Sequence, residues 1–189
     1  VDDVVGRIVK KLRSRGLAGN TVIIFTSDNG FLLGEHGLAG KWLMYEESIR
    51  LPLIIYDPRL PARLRGRRAA QMVLNIDIAP TILELAGLEV PDVMQGHSLR
   101  PILLGRPVRW RDAFFYEHLF RHRYIPRCEG VRTARYKYVR YLDTSPLYEQ
   151  LFDLKADPGE LHNLASSRSH ASLLRQMRQR WQAMRDACR

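Results

Sequence analysis

Thr21-Val22-Ile23-Ile24-Phe25-Thr26-Ser27-Asp28-Asn29-Gly30 is the stretch that decides the fold. An uncharged run rich in β-branched and aromatic side chains breaks abruptly into turn-forming residues, the pattern of a strand that opens into a loop. Because the run is continuously apolar and not alternating, it predicts a strand covered on both faces, as in a parallel sheet. Open α/β sheets collect their ligands at the carboxyl ends of such strands, so residues 27–30 are the first place to look for chemistry.

Working outward, residues 2–15 place Val4, Val5, Ile8, Val9 and Leu12 on one helical stripe, and Gly16 supplies the stop. Past the loop, residues 44–50 read as a helical turn and residues 51–56, Leu-Pro-Leu-Ile-Ile-Tyr, as a second buried strand. An Arg- and Pro-rich surface loop covers residues 57–70, a short strand is expected at residues 72–74, and Asp77 is expected to cap a helix over residues 78–86 that ends at Gly87. Beyond about residue 110 the pattern changes to strand-like pieces at residues 113–116, 130–133, 137–141 and 150–154, followed by an amphipathic helix over residues 169–187. The fold class is therefore α/β, a partial sheet with helices in residues 1–109 followed by a small antiparallel sheet and terminal helix in residues 110–189.

The chain carries 30 basic and 20 acidic residues, and the basic ones are 25 Arg against 5 Lys. A net charge of +10 suggests nucleic acid first, but outside Arg63, Arg65, Arg67 and Arg68 and the cluster at Arg121, His122 and Arg123 the charges are dispersed, with no nucleic-acid motif beside them. Nucleic acid is therefore not the expected partner. No apolar run reaches the length of a membrane span and no export signal is visible; with no initiator Met and a start inside a helix, further sequence is expected before Val1. Cys128 and Cys188 lack metal-ligand spacing and read as free thiols.

Asp28 and Asn29 offer a carboxylate and an amide oxygen side by side, the hard donors that Ca²⁺ or Mg²⁺ prefers, although the same four residues also make an ordinary turn. Lys41 lies beyond the glycine-punctuated stretch Gly34-Glu35-His36-Gly37 and Gly40, where backbone can approach a ligand closely. An ammonium there suits a sulfate or phosphate oxygen, and His36 could add a proton or a hydrogen bond. Taken singly, each also reads as an ordinary surface residue.

In order, Thr26-Ser27-Asp28-Asn29-Gly30, Leu33-Gly34-Glu35-His36-Gly37, Lys41, Met44-Tyr45-Glu46-Glu47-Ser48 and Arg50-Leu51-Pro52-Leu53 resemble the second half of the sulfatase family of the alkaline-phosphatase-like superfamily. The resemblance continues through Asn75-Ile76-Asp77-Ile78-Ala79-Pro80-Thr81, Gly96-His97-Ser98-Leu99, Glu129-Gly130-Val131-Arg132-Thr133, Tyr136-Lys137-Tyr138, Leu151-Phe152-Asp153-Leu154, Asp157-Pro158, Glu160 and Asn163-Leu164, so it covers nearly the whole chain. It implies a partial alkaline-phosphatase-like sheet followed by the family's C-terminal subdomain. It also implies a parent that hydrolyses a sulfated small molecule or glycan, with Asp28 and Asn29 on a divalent cation, usually calcium, and Lys41 on the sulfate. His36 comes over as a substrate-side or loop-ordering residue, and Glu117 and His118 as residues that shape the substrate pocket. A periplasmic or extracellular address is compatible with the resemblance, and the compartment stays open.

The family's formylglycine nucleophile, from a Cys-x-Pro-x-Arg type motif, has no counterpart here. Cys128-Glu129-Gly130-Val131-Arg132 has Gly for Pro and follows the Asp-Asn pair instead of preceding it, so it reads as part of a strand. The chain alone is thus expected to be inactive and, with an apolar strand lacking cover, prone to aggregate. A phosphodiesterase or phosphonate hydrolase of the same superfamily, and a non-catalytic polyanion-binding protein, are the competing readings.

Overall fold

The computed structural model describes residues 1–188 and divides into two compact units, residues 1–28 with 51–109, and residues 29–50 with 110–189. The segment 29–50 thus clusters with the chain after residue 110. None of the described helices is long and apolar enough to cross a membrane.

The first unit begins with α1 (Asp2–Ser14), whose acidic first turn and basic last turn suit the helix dipole. Val5, Val9 and Leu12 of its stripe are half-buried, whereas Val4 and Ile8 face solvent. β1 (Ile23–Thr26) pairs with β4 (Leu53–Tyr56), and here the structure departs from the expected parallel arrangement. The two run antiparallel, with Ile23 opposite Tyr56 and Thr26 opposite Leu53. Every β1 residue is only half-buried and Ile54 is exposed. An apolar run signals that a strand is built to be covered; it carries no information about its partner's direction. The short strand expected at residues 72–74 is irregular chain.

α3 (Ile78–Leu85) follows, and Asp77 serves a different purpose from the expected cap. Its side chain, with no exposure, accepts from the backbone N–H of Leu74 and of His97, both at 2.8 Å, and makes no cap bond to α3. Thr81 extends the arrangement: its hydroxyl donates to the Asp77 carbonyl and accepts from the Leu99 N–H, just before the short helix α4 (Arg100–Leu103). Gly96 fits beneath because a Cβ there would meet the Ile76 carbonyl oxygen at 2.0 Å. Asp77 is therefore a clamp between two loops.

In the second unit β5 (Ala113–His118), β6 (Cys128–Thr133), β7 (Tyr136–Tyr141) and β8 (Tyr148–Asp153) form an antiparallel meander, and α5 (Ala171–Ala187) packs on it. The sheet and terminal helix occur where the sequence predicts them. One face buries Val131, Tyr138 and Leu151 against Leu174, Met177 and Trp181 of α5. The opposite face buries Cys128, Val139 and Tyr141 against Met44, with Leu43 and Ile49 of the 29–50 segment alongside. Two-residue alternation sorts the strands between these faces.

Lys137 breaks the apolar pattern on the second face. It is fully buried, and its Nζ donates to the Met44 carbonyl at 2.8 Å while lying 2.9 Å from Glu46 Oε1 and 2.8 Å from Glu160 Oε1. Glu160 also accepts from the Glu46 N–H at 2.7 Å, and Arg132 engages Glu46 at 3.1 Å. Two carboxylates and two cations leave this cluster formally neutral. Burial of an isolated charge is prohibitive, so each member depends on the others.

Two outcomes are expected. Lys137→Met leaves Glu160 buried without its cation, while Glu46 keeps Arg132, and lowers stability by about 3–5 kcal/mol. Urea denaturation followed by tryptophan fluorescence checks this, since Trp42, Trp110 and Trp181 all lie in the second unit. Asp153, hydrogen-bonded by Arg135, has its pKa lowered to about 2. Because the folded state holds the carboxylate more acidic than the unfolded chain, its stabilisation is fully present above the ordinary aspartate range and is lost as pH falls through about 2. Arg135→Ala should flatten that acid limb in a pH series of melting temperatures.

Candidate functional site

The turn after β1 is drawn tight by Gly30. Its N–H donates to the Ser48 carbonyl at 2.8 Å, and a Cβ would meet the Glu47 carbonyl oxygen at 2.0 Å and that of Arg50 at 2.8 Å. Only glycine permits this approach to α2 (Glu46–Ile49). Asn29, immediately before it, donates from Nδ2 to the Gly30 carbonyl at 2.5 Å and accepts at Oδ1 from Lys41 Nζ at 3.0 Å. The structure thus brings Asn29 and Lys41 together in the second unit. Asp28 is the last residue of the first unit's opening segment and is joined to Asn29 through the peptide bond.

Lys41 follows a two-residue hairpin, β2 (Leu32–Leu33) with β3 (Ala39–Gly40). Gly34, His36, Gly37 and Gly40 between and within these strands all have positive φ, which folds the loop back on itself. His36 does so at φ 56°, a conformation costly for a residue with a Cβ. Its ring stacks on Tyr45 with centroids 3.8 Å apart, and Nε2 lies 3.5 Å from Glu47 Oε2. With a nearly buried side chain, His36 holds the loop in register between Tyr45 and Glu47.

Trp42, directly after Lys41, is a neighbour of the candidate site that the sequence reading did not single out. Its φ of 86° is in the left-handed region, where a bulky side chain is strained. Its N–H donates to Ser48 Oγ at 3.1 Å, and its carbonyl accepts from the Tyr116 hydroxyl at 2.6 Å. The indole lies parallel to the His118 ring, at an interplanar angle of 2° and a centroid distance of 5.7 Å. Burial lowers the pKa of His118 and favours the neutral imidazole. The only sequence signal for Trp42 is an aromatic residue set directly after a loop lysine.

Glu117 and His118 do not share a surface. Ala113 and Phe115 line the α5 face of the sheet, and alternation puts Glu117 with them, exposed; Phe114, Tyr116 and His118 follow the other face, towards Trp42. Cys128 is wholly buried on that second face, a free thiol whose pKa burial pushes up to about 12. Burial and a raised pKa both disfavour the thiolate that nucleophilic attack needs. Cys188 is likewise unbridged.

The donor chemistry of Asp28 and Asn29 fits part of a hard-cation shell. An amide oxygen has two lone pairs and can in general accept a hydrogen bond while ligating a metal; Asn29 Oδ1 accepts from Lys41. Among the described residues no group of three or more His, Cys, Asp or Glu side chains is assembled for a metal.

Comparison with known proteins places these features in context. Residues 34–187 match the family model described as N-sulphoglucosamine sulphohydrolase, C-terminal. The chain is 38% identical over 185 residues to an N-acetylglucosamine-6-O-sulfatase from Bacteroides thetaiotaomicron, a match covering 95% of this chain and 32% of that protein. A solved structure of a protein in complex with its substrate D-glucosamine-2-N,6-O-disulfate superposes with a TM-score of 0.84 at 35% identity, covering 98% of this chain and 38% of that one. The phosphonate monoester hydrolase of Agrobacterium radiobacter superposes with a TM-score of 0.86 at 33% identity, covering 98% and 39%. The chain spans about a third of the length of the curated relatives it matches.

Gly30→Ala should force α2 away from the turn, lowering stability by about 1–3 kcal/mol and separating Asn29 from Lys41. Denaturation midpoints check the first effect. Loss of the Lys41–Asn29 contact in a structure of the variant checks the second.

Proposed function

Since the chain belongs to the sulfatase family of the alkaline-phosphatase-like superfamily, we propose that it supplies the cation- and sulfate-holding part of a sulfuric ester hydrolase active site. The observation that carries this reading is the Lys41 ammonium held 3.0 Å from Asn29 Oδ1 in a loop shaped by left-handed residues. Asp28 and Asn29 are the proposed ligands of a divalent cation; their hard oxygens suit Ca²⁺ or Mg²⁺, and Ca²⁺ comes first because the sulfatase family usually uses it. When bound, such a cation supplies Lewis-acid polarisation of the sulfate ester.

The chain's own residues have separate tasks in this proposal. Lys41 faces a sulfate oxygen and stabilises the negative charge that grows on it as the ester bond breaks. Asn29 orients Lys41, so that the ammonium does not have to be ordered when the ester binds. His36, stacked on Tyr45, orders the loop and is a substrate-side group only through that position. His118, neutral and beneath Trp42, shapes the pocket wall. Glu117 lies on the opposite face of β5 from His118, exposed on the α5 side.

The substrate class of the intact enzyme is proposed to be a sulfated sugar. The similar protein solved with a disulfated glucosamine and the similar N-acetylglucosamine-6-O-sulfatase support this choice. A phosphonate ester is the second reading, supported by the likeness to a phosphonate monoester hydrolase and by a Lys-plus-cation scaffold that suits phosphoryl oxygens equally.

Without a nucleophile motif the chain by itself should not turn over p-nitrophenyl sulfate in calcium buffer; turnover abolished by Asp28→Ala would overturn the expectation that this chain is inactive alone. In a fusion to a nucleophile-bearing sulfatase half that restores activity, Lys41→Ala should cut kcat/KM for the sulfate ester by about 10²–10³. Metal content measured by mass spectrometry should fall with Asp28→Ala and not with Lys41→Ala. A higher kcat/KM for a phosphonate monoester than for the sulfate ester would favour the second reading.

A further inference from the structure

We infer that Trp42, Phe120, His122 and Tyr124 form a platform that seats the pyranose ring of a sulfated sugar, next to the anion held by Lys41. The inference rests on the reading of Lys41 as the sulfate-holding residue and adds what recognises the rest of the substrate. All of these residues belong to the second unit.

Four observations converge on this surface. The rings form a connected series: Trp42 to His118 at 5.7 Å, Trp42 to Phe120 at 6.3 Å, Phe120 to His122 at 6.4 Å and His122 to Tyr124 at 5.9 Å. Second, the series faces solvent, with Trp42 37%, Phe120 62% and Tyr124 75% exposed. Tyr138, Phe152 and Trp181 of the same unit are buried in its core, while Phe31 and Tyr148 are exposed without joining the series. Third, Trp42 is held in a left-handed conformation at φ 86°, and its backbone is fixed by Ser48 and Tyr116. A strained aromatic residue adjoining a proposed catalytic lysine indicates that the orientation of the indole matters. Fourth, His118, stacked under the indole, is 9% exposed, and its Nε2 is a buried polar atom with no hydrogen-bond partner. Such an atom is costly unless another group pairs with it.

The chemistry of these groups selects a sugar over a flat aromatic leaving group. A pyranose presents C–H bonds on its faces and hydroxyls around its rim, so it matches aromatic faces bordered by polar donors and acceptors. His118 offers its unpartnered Nε2, and His122, whose Nδ1 accepts from the Tyr124 N–H at 3.2 Å, offers an Nε2–H donor. The sequence Phe120-Arg121-His122-Arg123-Tyr124 alternates rings with guanidinium groups, and the Arg123 guanidinium lies 5.2 Å from the Tyr124 centroid. Those cations favour a sugar bearing a second sulfate or a neighbouring sulfated residue. Nucleotides could also stack on such a track, which makes them the informative competitor.

Isothermal titration of the whole chain with D-glucosamine-2-N,6-O-disulfate and with inorganic sulfate tests the inference. The disulfated sugar should bind more tightly than sulfate, and Phe120→Ala, at an exposed position, should reduce the ratio of the two affinities by about tenfold. Trp42→Ala should reduce it similarly and Trp42→Phe should retain it, a rescue that a merely structural role for the indole nitrogen edge would not give. An unchanged ratio in Phe120→Ala sinks the platform while leaving the sulfate reading intact. If Lys41→Ala changes neither affinity, the sulfate reading fails instead. Tighter binding of oligothymidylate than of the sugar overturns the platform, and no binding of either sulfated probe overturns the sulfate reading and the platform with it.

Discussion

The ammonium group of Lys137 has no contact with solvent and is satisfied by the Met44 carbonyl, Glu46 and Glu160. This arrangement governs the second unit because its partners come from distant parts of the chain. Lys137 sits in the middle of β7, Glu46 opens α2, and Glu160 occupies a left-handed position in the loop after β8. A charge in that place cannot relax into water, so the backbone of residues 44–46 must lie against the sheet. A hydrophobic contact would tolerate sliding; a buried ammonium with three oxygen partners fixes register.

Everything proposed for the site inherits that register. Met44 is packed beside Gly130, where a Cβ would meet its sulfur at 2.4 Å. Three residues earlier the same segment carries Lys41, and Ser48 just beyond it accepts from the Trp42 N–H and offers its carbonyl to Gly30. The Asn29–Lys41 contact therefore rests on a layered support of glycine approach, serine bonding and buried charge. Such support is what preorganised electrostatics require, since a loose lysine would lose much of its effect on a developing charge. The same segment orients the Trp42 indole, so charge recognition and ring recognition share one scaffold.

Much of this was legible in the residues themselves. Apolar runs and turn residues located β1 and β4, alternation located the strands of the meander, and helical periodicity located α5. Asp28, Asn29, His36 and Lys41 read singly as turn or surface residues, and only their resemblance to the ordered sulfatase motif blocks made them candidates. The pairing of β1 was misread because burial on both faces is encoded in composition, whereas strand direction is not. Asp77 was misread as a cap because its true partners, Leu74 and His97, include one remote in sequence. Glu117 and His118 looked like one feature, yet the pleat sends them to opposite faces.

By itself, then, the sequence determined the α/β class, the order of elements and the chemical types at the strand end, because these follow from local periodicity and residue chemistry. Only the tertiary structure decided that a lysine in an apolar strand is the centre of a buried ion cluster. It alone revealed that Asp77 clamps two loops and that Trp42 stands strained and exposed beside Lys41. Those facts depend on groups far apart in the chain meeting in a medium that water does not reach, and no local pattern records which groups will meet.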